Sequence, residues 1–259
     1  MSKTILITGA ASGFGRLVAF DLARKGHDVI ATARGWSQVT ELKDATSDAG
    51  LTMRVDKLDV TSTRDRETAF GWDIDVLVSN AGVMEAGPIA EQPIELLRAM
   101  FEVNSSPPSS SYRVREAVRR EAPRQDRVRV LGGRADDGPH HAGYCATKHA
   151  LEAVAEALKV ELEPFGVKVA TTNPGAYATG FNDRGADSMR WYDPAKNFTR
   201  PESLAGAARV LTHQLDPQSM ADVIVDVVLL DRPRFRNVHP KEAEDLVKQI
   251  QQDAWVAMS

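Results

Sequence analysis

The chain has 259 residues, 42% of them hydrophobic, enough to bury a large core, and one domain over residues 1–259 is expected. A formal net charge of −4 gives no electrostatic reason for a nucleic-acid or anionic-membrane partner, and no apolar stretch approaches the ~18 residues of a membrane span. The one cysteine, Cys145, excludes an internal disulfide and fits a reducing compartment; with no signal peptide legible after Met1, a cytoplasmic location is expected.

Residues 3–8 form a short apolar run centred on Ile5, Leu6 and Ile7, the pattern of a strand buried on both faces of a parallel sheet. It runs straight into Gly9, Gly13 and Gly15, a GxxxGxG turn. Residues 14–24 then take helical spacing through Leu17, Val18, Phe20 and Leu22 until Gly26. In a strand–turn–helix unit such glycines let backbone N–H groups and the positive helix end approach a pyrophosphate, so the turn reads as a nucleotide-binding loop.

Residues 27–34 are the second strand, and its end is where a dinucleotide fold meets the adenosine ribose. NAD-binding versions carry an acidic residue there. Here Ala33 and Arg34 stand instead, leaving a guanidinium for a 2′-phosphate and favouring NADP over NAD. The alternative is that Arg34 only ends the strand in solvent. A polar helix over 37–49, a third strand over 51–60 closing on Leu58, Asp59 and Val60, a helix over 63–71 and a buried strand over 75–82 follow. The alternation predicts a Rossmann-like doubly wound parallel α/β sheet of about seven strands flanked by helices, with ligands beyond the carboxyl ends of the strands. Asp59, Asn80 and Gly82 lie at such ends.

Residues 105–142 break the pattern. Pro107 and Pro108 stand among serines where a helix should begin; of these 38 residues five are Val or Leu and eight are Arg. The expected fifth strand at 127–131 alternates Arg with Val, whereas a central parallel strand is apolar on both faces. His140 and His141 have no matching ligand cluster, so no metal is expected and both read as solvated loop residues.

An amphipathic helix over 144–165 opens with Tyr144 and Lys148, four residues apart and therefore on one face. A cation within ~4–6 Å of a phenol favours phenolate and lowers its pKa, which makes the pair a general acid/base with its tuning group attached. Cys145 reads as a small packed residue. A sixth strand over 166–173 leads to Pro174 and Gly175, and residues 177–200 have the length of a substrate lid. Phe181, Trp191 and Tyr192 in it shape the substrate site or pack the loop down. Helices over 201–214 and 216–230, an edge strand over 235–240 and a helix over 241–252 complete the chain.

The motif at Thr8–Gly15, the Leu58–Val60 and Asn80–Gly82 strand ends, Asn104, the Tyr144/Lys148 pair and the segment Asn173–Thr179 occur in the order and spacing of the short-chain dehydrogenase/reductase family, which the chain resembles over 3–104 and 143–181. The resemblance implies an NADP-preferring oxidoreductase that moves a hydride between nicotinamide and a small-molecule alcohol or carbonyl. It places the pyrophosphate at Gly9, Ser12, Gly13, Phe14 and Gly15, and adenine at Asp59 and Val60. It places the adenosine ribose beside Asn80, Ala81 and Gly82, and nicotinamide beside Pro174, Gly175 and Thr179. Tyr144 would exchange the hydroxyl proton, Lys148 would lower its pKa and bind the nicotinamide ribose, and Asn104 would hold a relay water. A homo-oligomer is compatible with the family.

The family also carries a Ser about thirteen residues before the Tyr, where this chain has Leu131, Gly132 and Gly133. Two readings of 105–142 stand open: a loop peculiar to this chain, or a coding frame displaced and then restored. Codons for Val130 to Arg134, read from their second base, permit Ser-Ser-Val-Ala-Gly, which resembles the family's serine motif. Without that Ser, a dinucleotide-binding sensor or scaffold with impaired turnover is the alternative function.

Overall fold

The computed structural model describes residues 2–105, 140–204 and 211–256, and the backbone of 127–132. The anomalous segment at 106–126 and 133–139, including Gly133 at the place of the family serine, lies outside the described residues.

One seven-stranded sheet runs in the order β3-β2-β1-β4-β5-β6-β7. Its strands are β1 (Thr4–Ile7), β2 (Asp28–Ala33), β3 (Arg54–Lys57), β4 (Val76–Ser79), β5 (Arg127–Gly132), β6 (Val167–Pro174) and β7 (Arg236–His239). Every pairing is parallel, with Ile5 opposite both Val29 and Val76. The order turns back between β1 and β4, and a crevice at that switch point is where this class of sheet binds ligands. We number the helices α1 (Gly13–Arg24), α2 (Trp36–Asp48), α3 (Thr63–Phe70), α4 (Ile94–Asn104), α5 (Ala142–Leu162), α6 (Phe181–Ala186), α7 (Pro201–Leu204), α8 (Pro217–Leu229) and α9 (Lys241–Ala254).

The period of two in β1 divides the core. Ile5 and Ile7 pack with Val76, Val78, Val18, Leu22, Met220 and Ile224 on the side of α1 and α8. Leu6 faces the other way, with Ile30, Leu58, Leu77 and Ala69. Farther along that sheet, Leu151, Ala155 and Leu158 of α5 cover Val167 and Val169. Burial on both faces is why these strands read as unbroken apolar runs.

Three expectations are corrected. The 201–214 helix is described only over Pro201–Leu204, and Thr212 to Gln214 are not helical. The next residue explains it: Leu215 donates its N–H to Ala176 and accepts from Ala178, pairing as a bridge with Tyr177. α4 was not anticipated, although Ile94, Leu97, Met100 and Phe101 carry helical spacing and Met100 is fully buried. His141 is buried rather than solvated, because it precedes α5 and its carbonyl accepts the Cys145 N–H at 2.9 Å. No group of metal-ligating side chains occurs, and no helix is long and apolar enough to cross a membrane, among the described residues.

Candidate active site

A cavity of about 620 Å³ opens at the carboxyl ends of the strands. Arg34, Gln38 and Glu41 wall one end, the Gly9–Phe14 turn its middle, and Tyr144, Lys148 and Phe181 the other end. Of the catalytic and cofactor-binding positions expected, all line this cavity except Gly15 and Asn104; of the three loop aromatics Phe181 lines it, whereas Trp191 packs on Gly87 and Tyr192 donates its hydroxyl to the Thr199 carbonyl.

The turn after β1 is drawn tight by the strand beside it. Thr8 Oγ1 accepts the N–H groups of Asn80 and Ala81 at 3.1 and 3.0 Å, while Asn80 Nδ2 donates to the carbonyls of Thr8 and Gly9, both at 3.0 Å. Two glycines make that approach feasible. Gly9 has φ +66° and a side-chain carbon there would sit 2.8 Å from Ala81 Cα; one at Gly15 would sit 2.5 Å from Asn80 Nδ2. Gly15 is closed in by that packing, whereas Gly9, Ser12, Gly13 and Phe14 line the cavity. The Ser12 hydroxyl does not cap α1. First-turn N–H groups with no side-chain cap, beside a cavity, are a cradle for an anion, so the residues present fit a dinucleotide diphosphate.

At the other end of the cavity, α5 holds Tyr144 and Lys148 on one face, both buried, with Lys148 Nζ 5.6 Å from the Tyr144 ring centre. Phe181 of α6 lies against the same ring at 5.6 Å. Asn104 latches the neighbouring loop: its Oδ1 accepts the Val83 N–H, and its Nδ2 donates to the Val83 carbonyl and Thr147 Oγ1, each at 2.9 Å. Thr147 in turn donates to the Tyr144 carbonyl at 2.7 Å. The latch sets the floor, since a carbon on Gly82 would touch Asn104 Oδ1 at 3.4 Å and Lys148 Nζ at 3.8 Å.

Pro174 and Gly175 leave β6 beside β7, with the Gly175 N–H donating to the His239 carbonyl at 2.9 Å. Tyr177, 2% exposed, meets Phe14 edge-on at 5.4 Å and shares a 2.5 Å hydrogen bond with His239 Nδ1. Burial pushes the Tyr177 phenol up from its ordinary range, against a lowering hydrogen bond to Ser219. Asp59 Oδ1 accepts the N–H and hydroxyl of Thr61 at 2.9 and 2.7 Å, which fixes the turn after β3.

Sequence reasoning missed Gln38 and Glu41, although their spacing of three on the helix after Arg34 puts them on one face toward the same crevice. It also missed Asn182 and Arg184, for which a polar loop offers no periodic signal.

The sequence profile of the family described as short chain dehydrogenase matches residues 3–189. The uncharacterized oxidoreductase YusZ of Bacillus subtilis (strain 168) is 31% identical over 242 residues, taking in 86% of this chain and 83% of that protein. Retinol dehydrogenase 8 of Bos taurus is 29% identical over 256 residues, 90% of this chain and 80% of its own. Among solved structures, a short chain dehydrogenase/reductase from Burkholderia phymatum in complex with NAD superposes with a TM-score of 0.79 at 23% identity, covering 98% of this chain and 95% of that one. A short-chain dehydrogenase from Sphingobium yanoikuyae in complex with NADPH superposes with a TM-score of 0.71 at 22% identity, covering 99% and 96%.

Proposed function

The chain belongs to the short-chain dehydrogenase family, and we propose that it is an NADP-preferring oxidoreductase acting on a small-molecule alcohol or carbonyl, with Tyr144 as the general acid/base. The observation that carries this reading is one cavity with two ends: the uncapped start of α1 with Arg34 nearby, and the Tyr144/Lys148 pair. Bound NADP(H) would supply or accept the hydride at its nicotinamide ring.

The chain's own residues divide the remaining work. Gly9, Ser12, Gly13 and Phe14 hold the diphosphate, Arg34 the 2′-phosphate, and Asp59 and Val60 the adenine. Asn80, Ala81 and Gly82 back the adenosine ribose, and Pro174, Gly175 and Thr179 flank the nicotinamide. Tyr144 gives a proton to the carbonyl oxygen on reduction and takes it back on oxidation. Lys148 favours its phenolate form and binds the nicotinamide ribose. The Asn104 amide is already occupied by Val83 and Thr147, so a relay water falls to its spare acceptor capacity. The lid at 177–200 closes the site as part of the same single unit.

A second reading has its own observation. Leu131, Gly132 and Gly133 occupy the place of the family serine, so a dinucleotide-binding protein without appreciable turnover also fits. Incubating the protein with NADPH and a panel of aldehydes and ketones separates the two. Cofactor oxidation dependent on a carbonyl supports the enzyme; binding without oxidation of any kind supports the sensor.

A further inference from the structure

The lid helix α6 carries Phe181, Asn182 and Arg184 to the cavity, and the mechanism above uses none of them. Phe181 lies against Tyr144, whereas Arg184, one turn on, lines the wall nearer the glycine turn. Its position can be followed through three contacts. A side-chain carbon on Gly180 would lie 3.3 Å from Arg184 Nη1. Gly180 follows Thr179, and Thr179 Cβ lies 3.3 Å from where a side-chain carbon on Gly13 would be. Gly13 is the first residue of α1, whose opening N–H groups have no side-chain cap.

The charge at this spot is unmatched. Arg184 makes no side-chain hydrogen bond or ion pair with any of the described residues. The acidic residues lining the cavity, Glu41 and Asp59, both stand at the adenosine end. A guanidinium held at a cavity wall, with no carboxylate to neutralise it and a helix N-terminus close by, is arranged to bind an anion from the side opposite the turn.

The geometry points to Arg184 as a lid-borne contact for the diphosphate bridge of the dinucleotide, which would clamp the cofactor between α1 and α6 while Phe181 stays against Tyr144. The assignment rests on the dinucleotide reading and adds to it. It separates two arginines by what they read: Arg34 the 2′-phosphate that only NADP carries, Arg184 the bridge that NAD and NADP share.

The test is direct binding of NADPH and NADH, followed by quenching of protein fluorescence, to wild type, Arg184→Ala, Arg184→Lys and Arg34→Ala. Thermal melts of all four confirm folding, and Arg184→Lys, which keeps the charge, covers the case of a misfolded alanine variant. Arg184→Ala should weaken both nucleotides by a similar factor, about tenfold for a lost charge-assisted contact, and the deficit should shrink as salt is raised. Arg184→Lys should retain most of the affinity, and Arg34→Ala should weaken NADPH alone. Unchanged affinity of Arg184→Ala for both nucleotides overturns the assignment, as does a change confined to the KM of anionic carbonyl substrates. If the wild type binds neither nucleotide, the dinucleotide reading fails first and this assignment with it.

Discussion

Arg34 and Glu41 put opposite charges on one wall at one end of the cavity. The guanidinium favours a 2′-phosphate and the carboxylate opposes it, and Arg34 stands at the end of β2, where the ribose is met. Arg34→Ala should therefore weaken NADPH by about 1–3 kcal/mol and leave NADH similar or improved. Equal losses for both nucleotides in a binding titration would show that Arg34 does not read the phosphate. At this scale the sequence was legible wherever a residue belonged to a turn or a helical repeat: the glycines of residues 9–15 and the Tyr144/Lys148 spacing both converge on the cavity. Arg184 was not legible, because its position depends on how a polar lid folds back over a distant strand end.

Among the elements, α5 is fixed by a polar network that continues the Tyr144/Lys148 face. Glu152, one turn beyond Lys148, accepts from Asn173 Nδ2 of β6 at 2.7 Å and pairs with Arg236 Nε of β7 at 3.0 Å. Its carboxylate is only 12% exposed. Glu152→Ala would remove the hydrogen bonds that Glu152 accepts from Asn173 and Arg236, at a cost of about 1–3 kcal/mol. A urea melt superposable on wild type would remove this role from Glu152.

The segment 177–200 has its own anchor. Glu91 Oε1 accepts from Asn197 Nδ2 and the Phe198 N–H, both at 2.8 Å, and Oε2 from the Thr199 N–H at 3.0 Å. Burial raises the Glu91 carboxyl, but these hydrogen bonds outweigh it and hold the group below its ordinary value. A depressed folded value means the anchoring is complete above the unfolded pKa, ~4.3, and is lost as pH falls through the folded one. Amide exchange at Phe198 and Thr199, corrected for its intrinsic pH dependence, should accelerate over that window. Glu91→Ala should already exchange fast at neutral pH. Protection that ignores both pH and the substitution would place the anchor elsewhere. These ties join residues about a hundred positions apart, so no local pattern announced them.

For the molecule as a whole, the doubly wound parallel sheet followed from alternation of apolar runs and helices, and residues 105–142 are where that legibility ends. The backbone of β5 lies between β4 and β6 in the middle of the sheet, although Arg127 and Arg129 occupy alternate positions along it. A donor to a developing oxyanion is worth ~10²–10³ in rate, and on the mechanism we propose Tyr144 would supply one hydrogen bond where a serine beside it would add a second. If the coding frame is displaced here, re-encoding 105–142 in the shifted frame should restore an apolar strand and a serine. That protein should melt at a higher temperature and turn over at least ~100-fold faster. Equal melts and equal rates would make the segment a working replacement.

The central claim, that Tyr144 serves hydride exchange with a nucleotide held in the 620 Å³ cavity, is tested most directly by isotope transfer. The protein is incubated at length with NADPH deuterated at its transferring carbon and a carbonyl panel, and the alcohols are weighed by mass spectrometry. Wild type should deliver one deuterium to the carbinol carbon of at least one substrate, even if slowly. Tyr144→Phe should bind NADPH as tightly and deliver it at a rate lower by about 10²–10⁴, the scale of a lost general acid. Nucleotide binding with no deuterium in any alcohol, or transfer undiminished in Tyr144→Phe, would contradict the account.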